Sequence, residues 1–306
     1  MNIPKVSVII PVYNTADYVQ EAIESIMGQT LQNIEIIVIN DGSTDNSLEI
    51  LNKLAAIDFR IQIFSQSNQG LSKARNNGIN HAIGEFIYFM DSDDILQAEA
   101  LQICYEKCTQ ENLDFVFFDA ECIQSTKLYP LQNYIHKNAK NQKLLTGIDW
   151  LNFQIDTYTY FSPVWLNFIR HKYIQKLKLS FYPEIIHEDQ LYTSILYLNA
   201  QRVAYIPKPF FKRRIRENSI MTNKFSWKNI HGYLTVTEEL LKYQQNKDTN
   251  IKKTINKYLK KMLNAVIWNS HTLTFKEKLK IIYLISRKKY LKYIHIRNIL
   301  VLFLKK

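Results

Sequence analysis

The segment at residues 84–97, "GEFIYFMDSDDILQ", passes from a run of apolar side chains straight into a group of acids. Phe86–Met90 has the composition of a buried strand, and Asp91 and Asp93 follow it with only Ser92 between them. Carboxylates that are crowded together repel one another, and a nearby positive charge relieves that repulsion. The segment therefore predicts a strand that ends at a site for a positive charge.

Strand-like and helical patterns alternate through the first 120 residues, on both sides of this segment. The predicted strands are Val6–Val12, Ile34–Asn40, Ile61–Ser65, Phe86–Met90 and Leu113–Phe118. Ile34–Asn40 is almost continuously apolar, which is typical of a parallel strand covered on both faces. We therefore predict an α/β fold with a doubly wound, mostly parallel sheet.

Polar side chains follow the first four predicted strands. Tyr13 comes after the first, Asp41 after the second, Asn68 after the third, and Asp91 and Asp93 after the fourth. In folds of this class, ligands bind outside the carboxyl ends of the strands. The alternative for each residue is local: turn formation or helix capping for the acids, and simple packing for Tyr13. Their coincidence at four successive strand ends favours a shared site.

The chemistry of these residues suits a metal-bound phosphate. Carboxylate pairs bind hard divalent cations such as Mg²⁺ or Mn²⁺, which leave their remaining sites to water and phosphate. Arg75 lies near a predicted helix start, where its guanidinium can face a phosphate. The chain contains neither a Gly-x-Gly-x-x-Gly sequence nor a Walker sequence. A phosphate would therefore be held mainly by metal and arginine.

The charge is unevenly distributed along the 306 residues. Residues 242–306 contain seventeen Lys and Arg against two acids, a net of +15; because the whole chain carries +11, residues 1–241 carry −4. Such a basic tail favours an anionic partner. The basic tail is either a membrane-binding surface or a helical appendage packed on the rest of the protein. We expect no nucleic-acid partner, because no recognised binding motif accompanies the charge.

Cysteine spacing and hydropathy predict a cytoplasmic protein. Cys104, Cys108 and Cys122 have neither a zinc-site nor a redox spacing. No secretion signal is recognisable, and no apolar run approaches the roughly 20 residues that span a bilayer. If the tail binds lipid, the protein would be peripheral on the cytoplasmic face of the inner membrane.

Five motifs together resemble the inverting glycosyltransferases of family 2. They are "VSVIIPVYN" (6–14), "IEIIVINDGSTDNS" (34–47), "NQGLSKARNNGI" (68–79), "GEFIYFMDSDD" (84–94) and "HEDQ" (187–190). The resemblance is dense over residues 5–95 and looser over 160–222. It implies the GT-A fold, a Rossmann-like catalytic domain, here followed by a helical C-terminal region.

The resemblance also assigns roles to individual positions. Those matched to the nucleotide-sugar are Pro11, Tyr13, Asp41, Asn68, Arg75, Asp91, Ser92, Asp93, Arg214 and Arg216. Asp91 and Asp93 match the Asp-x-Asp motif, whose second acid ligates Mn²⁺ or Mg²⁺. Asp189 matches the catalytic base, and Glu188 beside it a residue that orients the acceptor or supports the base. For Arg214 and Arg216 the alternative is a solvated face.

The predicted organisation follows the motifs. Residues 1–225 would form the glycosyltransferase domain, with 1–120 as the nucleotide-sugar-binding half and 121–225 as the acceptor-binding half. Residues 226–306 would form a basic helical region. The pattern also predicts a last strand over Arg202–Ile206.

The resemblance predicts an enzyme of bacterial surface-glycan assembly. It would transfer a sugar from a UDP-sugar to a hydroxyl of a glycan or glycolipid, in the synthesis of capsule, exopolysaccharide or lipooligosaccharide. Two alternatives stay open. One is a catalytically silent subunit that binds a sugar nucleotide, and the other is a nucleotidyltransferase, which would usually carry a glycine-rich signature after the first strand.

Overall fold

An eight-stranded sheet forms the centre of the molecule in a computed structural model, which describes residues 3–123, 133–137, 139, 144–216 and 224–305. The strands are β1 (Val6–Val12), β2 (Ile34–Asp41), β3 (Ile61–Gln66), β4 (Phe86–Phe89), β5 (Ile95–Leu96), β6 (Phe115–Ile123), β7 (Asn167–Arg170) and β8 (Val203–Arg214). Their order across the sheet is β3-β2-β1-β4-β7-β6-β8-β5. Four of the seven strand pairings in the described residues are parallel. The predicted α/β fold with a mostly parallel sheet is confirmed.

Helices cover both faces of this sheet. They are α1 (Ala16–Met27), α2 (Ser47–Ala55), α3 (Leu71–His81), α4 (Ala100–Gln110), α5 (Gly147–Asp156), α6 (His171–Leu177), α7 (Glu188–Asn199), α8 (Trp227–Tyr243), α9 (Thr249–Asn269), α10 (Phe275–Arg287) and α11 (Ile296–Leu304). Alternate residues of β1 enter different cores: Ile9 packs on the side of α3, and Val8 and Ile10 pack on the side of α1. Burial on both faces explains the continuous apolar runs.

The sequence pattern predicted the last strand too short. β8 continues to Arg214, eight residues beyond the predicted end at Ile206, and pairs in parallel with β6. Pro207 and Pro209 interrupt the apolar pattern, and the register of the pairing shifts between Phe118 and Ala120. The added length carries Arg213 and Arg214 to the end of the sheet where the acids of residues 91–94 lie.

The chain after residue 226 is helical, as predicted. α8 and α9 pack against the helices of the sheet domain, and their buried side chains join the core that includes α5 and α7. α10 and α11 follow through short 3-10 turns. Within the described residues no helix has both the length and the apolar character needed to cross a bilayer.

Candidate active site

Arg75 lies at the centre of a buried cluster that joins three carboxylates. Its Nη2 donates to Asp91 Oδ1 at 2.9 Å, and its Nη1 donates to Glu188 Oε1 at 2.8 Å and to Asp189 Oδ1 at 2.9 Å. The arginine is 1% exposed. Hydrogen bonds from one planar guanidinium fix the positions of all three acids relative to one another. The carboxylate from the "HED" motif therefore lies at the same end of the sheet as the acids that follow β4.

The cluster contains more negative than positive charge. Burial raises the pKa of Asp189 to about 7, and the charges of Glu188 and Asp91 add to this effect, although Arg75 opposes it. Burial likewise raises the pKa of Glu188 against the pull of Arg75. One guanidinium does not neutralise three carboxylates in a site largely closed to water. Asp189 thus has the proton affinity of a group that exchanges protons near neutral pH.

The loop before α7 is held in an unusual conformation. His187 has a φ of 70°, its ring stacks on Tyr233 at 4.2 Å, and its Nε2 is 3.0 Å from Nδ2 of Asn229. Gly232 of α8 lies against the same loop, where an added Cβ would be 2.2 Å from the carbonyl oxygen of Ile186. A side chain larger than hydrogen would push α8 away. The first residues of α8 thus hold the loop that presents Asp189.

A backbone contact completes the placement of Asp189. The amide N–H of Val164 donates to Asp189 Oδ2 at 3.1 Å, so each oxygen of this carboxylate has a donor. The side chain of Asp189 is 17% exposed. This contact was not predictable from the sequence, because a backbone donor in a short 3-10 turn does not depend on residue type.

The acids of residues 91–94 meet the end of β8. Asp93 Oδ2 accepts from Nε of Arg216, and Asp94 Oδ1 accepts from the backbone N–H of Arg214 at 2.7 Å. Burial and the charge of Asp91 raise the pKa of Asp93, which Arg216 lowers in part. The predicted arginines therefore do not lie on a solvated face. Both guanidinium groups also lie over the ring of Tyr18, at 5.2 and 5.7 Å.

Two further residues, Asp94 and Glu21, belong to this region but are not among the predicted site residues. Asp94 is 3% exposed, and burial together with the charges of Asp93 and Asp91 raises its pKa well above the usual value. Glu21 of α1 accepts from Nη2 of Arg214. The third acid of "DSDD" was a visible signal for Asp94, whereas Glu21 lies on an ordinary helix and gave none. Ser92, predicted in the site, is buried and accepts from the hydroxyl of Thr15 at 3.0 Å.

Asp41 is buried at the end of β2 and organises the loop after β3. Its Oδ1 accepts from the backbone N–H of Gln69 and its Oδ2 from that of Gly70, both at 2.8 Å. Asn68 is exposed in the same loop. Gly42 has a φ of 72°, and a Cβ there would lie 2.7 Å from the backbone nitrogen of Asn68. The predicted residues Asp41 and Asn68 are thus held close together.

The structure places the remaining predicted residues at the end of β1. Pro11 is buried inside the strand opposite Ile39 of β2, and Tyr13 follows the strand with 49% of its surface exposed. A cavity of about 490 Å³ opens beside them. Its walls are residues 14–18, Asp45, Asn46 and Arg216. The residues that follow β1 and β2, together with Arg216 beyond the end of β8, therefore border one open region.

A second cavity, of about 200 Å³, lies between α7, α8 and α9. It is bordered by Gln190, which follows Asp189, and by the rings of Tyr160, Tyr233 and Tyr258. The charge of Asp189 contributes to the raised pKa of Tyr160, whose main cause is burial. This cavity is therefore close to the Asp189 carboxylate, on the side of the C-terminal helices.

The described residues contain no group of three or more His, Cys, Asp or Glu side chains arranged to hold a metal by themselves. Asp93 is paired with Arg216, which borders the open region, and Asp91 lies two residues before it. Two carboxylates are enough for a cation that takes its other ligands from water and phosphate.

Comparison with known proteins identifies the family. Residues 7–167, just over half of the chain, match the model described as "Glycosyl transferase family 2". The uncharacterized glycosyltransferase YibD of Escherichia coli K12 is 31% identical over 247 residues, which cover 79% of this chain and 72% of YibD.

Two solved structures share the fold. One is Staphylococcus aureus TarS 1-349 in complex with UDP-GlcNAc, with a TM-score of 0.76, 22% identity, and coverage of 97% of this chain and 83% of that one. The other is the mannosyltransferase PcManGT of Pyrobaculum calidifontis in complex with GDP-Man and Mn²⁺, with a TM-score of 0.58, 15% identity and coverage of 99% and 85%. The fold is therefore GT-A with a helical C-terminal region.

Proposed function

The chain belongs to glycosyl transferase family 2, and from this premise we propose that it transfers a sugar from a UDP-sugar to a hydroxyl group of a glycan or lipid-linked glycan. We further propose that the anomeric centre is inverted and that the product belongs to a bacterial surface polysaccharide or lipooligosaccharide. The proposal that the donor carries UDP is supported by the structure of Staphylococcus aureus TarS, which contains UDP-GlcNAc.

One observation carries the mechanism. The guanidinium of Arg75 joins Asp91, at the end of β4, to Asp189, at the start of α7. The carboxylate of Asp189, which has a raised pKa, is therefore linked through a single side chain, that of Arg75, to the acids that would face a diphosphate. A transferase needs this juxtaposition, because its base must approach the acceptor while the leaving group departs nearby.

In the proposed reaction Asp189 is the general base. The acceptor hydroxyl gives its proton to the Asp189 carboxylate as its oxygen bonds to the anomeric carbon. The bond from that carbon to the diphosphate oxygen breaks, and its electron pair stays on the diphosphate. A single displacement of this kind inverts the carbon. Arg75 and the amide of Val164 hold the carboxylate in place, and Glu188 acts through Arg75 as a positioning residue.

Asp93 and Asp91 fit a divalent cation, Mn²⁺ or Mg²⁺. Both offer carboxylate oxygens, and burial and the charge of Asp91 raise the pKa of Asp93, an effect that a bound cation would oppose. When bound, such an ion would supply charge that stabilises the leaving diphosphate. Mn²⁺ is present in the structure of the Pyrobaculum calidifontis mannosyltransferase. Arg216, which pairs with Asp93 here, would then turn toward the diphosphate together with Arg214.

We place the nucleoside at the ends of β1 and β2. Tyr13 is exposed enough to stack on the base, and Pro11 shapes the strand beneath it. Asp41 would bind the ribose or base directly, or would position the loop after β3, whose backbone it holds, to do so. Asn68 is exposed beside it, in reach of the same ligand.

We place the acceptor in the cavity of about 200 Å³ beside Asp189. Its tyrosine rings offer flat apolar surfaces, and sugar rings pack their C–H faces on such surfaces. Lys261 borders the cavity and is half-buried, and burial lowers its pKa. The charge of Asp156 opposes this shift, and an acceptor with an acidic substituent would add a second negative charge near Lys261. Of the other aromatics at residues 157–165, Trp165 is a core residue, stacked on Phe211 at 4.2 Å.

A donor screen tests the proposal. UDP-glucose, UDP-galactose, UDP-N-acetylglucosamine and UDP-N-acetylgalactosamine would each be incubated with the protein, with and without MnCl₂. We expect at least one to raise the melting temperature and to release UDP slowly to water in the presence of Mn²⁺. A silent subunit would be stabilised by a donor without any release of UDP. A nucleotidyltransferase would instead release pyrophosphate from UTP and a sugar 1-phosphate.

A further inference from the structure

The last two helices expose apolar side chains at every fourth position. On α10 and α11 these residues are Phe275, Leu279, Tyr283, Ile296, Leu300 and Leu304, and each is between 50% and 76% exposed. Together they are named here the C-terminal stripe. The opposite faces of the same helices are buried through Ile281, Ile285 and Leu302. Each helix therefore has one apolar face packed on the protein and a second one facing solvent.

The two helices that carry the C-terminal stripe meet at one end. The ring of Phe275, at the start of α10, lies 6.0 Å from the ring of Phe303, near the end of α11. Trp268, at the end of α9, is 37% exposed, and the ammonium group of Lys305 lies over its ring at 4.7 Å. Soluble proteins rarely expose a contiguous apolar surface of this kind unless it binds something.

Basic residues surround the stripe. Residues 270–306 contain ten Lys and Arg and a single acid, Glu277. Lys276 and Arg297 are exposed next to Phe275 and Ile296 in the sequence. A surface that is both apolar and strongly cationic is complementary to an anionic bilayer, in which apolar side chains enter below a layer of negative headgroups. A second copy of the chain would instead bring two cationic surfaces together.

We propose that the C-terminal stripe binds the surface of an anionic phospholipid bilayer, with α10 and α11 lying in the plane of the membrane. The exposed leucines and Phe275 would enter the boundary between headgroups and acyl chains, while Lys276 and Arg297 contact phosphate. Trp268 lies at the edge of the stripe, the position that tryptophan favours at a membrane surface. The enzyme would then reach a lipid-linked acceptor without crossing the bilayer.

Vesicle co-sedimentation of the full chain tests this proposal. The vesicles would contain phosphatidylcholine with 30% phosphatidylglycerol, or phosphatidylcholine alone. We expect wild type to bind the anionic vesicles at least tenfold more tightly than the neutral ones. Leu279→Ser with Leu300→Ser, and separately Lys276→Gln with Arg297→Gln, should each weaken binding to anionic vesicles at least tenfold.

A matched control removes exposed apolar residues elsewhere. Ile57 and Phe59 are 75% and 95% exposed between α2 and β3, so Ile57→Ser with Phe59→Ser should bind vesicles like wild type. The melting temperature of each variant checks its fold. Equal binding of wild type and the leucine variant would overturn the proposal, as would absence of binding to anionic vesicles. A dimer in light scattering that the leucine variant dissociates would assign the stripe to a second copy. Because no donor is present, the result is independent of the proposed transfer reaction.

Discussion

Replacing Asp189 by Asn separates its proposed chemical role from its effect on stability. Asn keeps the shape of the side chain and cannot accept the proton of an acceptor hydroxyl. General base catalysis contributes about 10²–10⁴-fold to a rate. We therefore expect the release of UDP in the presence of a donor and Mn²⁺ to fall by about that factor.

The same variant should melt at a higher temperature at pH 8. A pKa raised from 3.8 to about 7 corresponds to about 4 kcal/mol of unfavourable free energy for the ionised group, at about 1.4 kcal/mol for each pH unit. Asn removes that charge and leaves Arg75 paired with Asp91 and Glu188. The amide nitrogen of the new Asn, however, cannot accept a hydrogen bond. Either the bond from Arg75 or the bond from the Val164 N–H is therefore lost, which costs about 1–3 kcal/mol. The net effect is a stabilisation of about 1–3 kcal/mol, or a few degrees.

The dependence on pH has a definite sign. Between the unfolded pKa of 3.8 and the folded value of about 7, the folded protein binds more protons at Asp189 than the unfolded chain does. The contribution of this residue to stability therefore falls as the pH rises through that window and is constant above it. The difference in melting temperature between variant and wild type should widen from pH 5 to pH 7 and then stay level.

The assay is differential scanning fluorimetry from pH 5 to pH 8, with UDP release measured on the same preparations. Glu49→Gln is the matched control, because Glu49 is exposed on α2, where it pairs with Lys53. This control variant should change neither the melting temperature nor the rate of UDP release. Release of UDP by the Asn variant within tenfold of wild type would refute the role of base. A melting temperature at or below that of wild type at pH 8 would refute the charge argument.

Three further results are expected. Gly232→Ala should lower the melting temperature by several degrees and reduce UDP release, because its methyl group would lie 2.2 Å from the Ile186 carbonyl oxygen. Gly28→Ala is the control with the smaller expected loss, because its φ is −80° and its methyl group would lie 3.3 Å from the Glu24 carbonyl oxygen. The wild-type kcat/KM should fall below about pH 7, since protonated Asp189 accepts no proton. Asp93→Asn should abolish the dependence of UDP release on MnCl₂ concentration, which a titration measures.

The sheet and its polar end were predictable because their signals are local. A strand buried on both faces needs a continuous apolar run, and the residue that ends it is usually polar, so β1 to β4 and the residues after them were visible in the sequence. Asp41 is the last residue of β2, Asp91 and Asp93 lie just beyond β4, and the parallel arrangement brings them to one edge. The predicted GT-A fold is confirmed, whereas the role of each site residue stays a prediction.

The partners of Arg75 were not predictable from spacing. Glu188 and Asp189 lie 113 and 114 residues further along the chain, and only the packing of α7 against the sheet brings them to the guanidinium. The antiparallel strand β7, which stands between β4 and β6, left an equally weak signal because it is four residues long. The extension of β8 was hidden by its two prolines, although it delivers Arg214 to Asp94.

The position of Asp189 is maintained by elements that themselves carry no reactive group. A buried cluster of three acids and one arginine, next to a His187 held at positive φ, is unfavourable in isolation. It persists because its surroundings are fixed: α3 supplies Arg75 on one side, and α8 packs Gly232, Asn229 and Tyr233 on the other. Since α8 belongs to the region after residue 225, the predicted boundary there separates two stretches of sequence that share one site. The helical region would therefore hold the proposed base in position as well as bind the membrane.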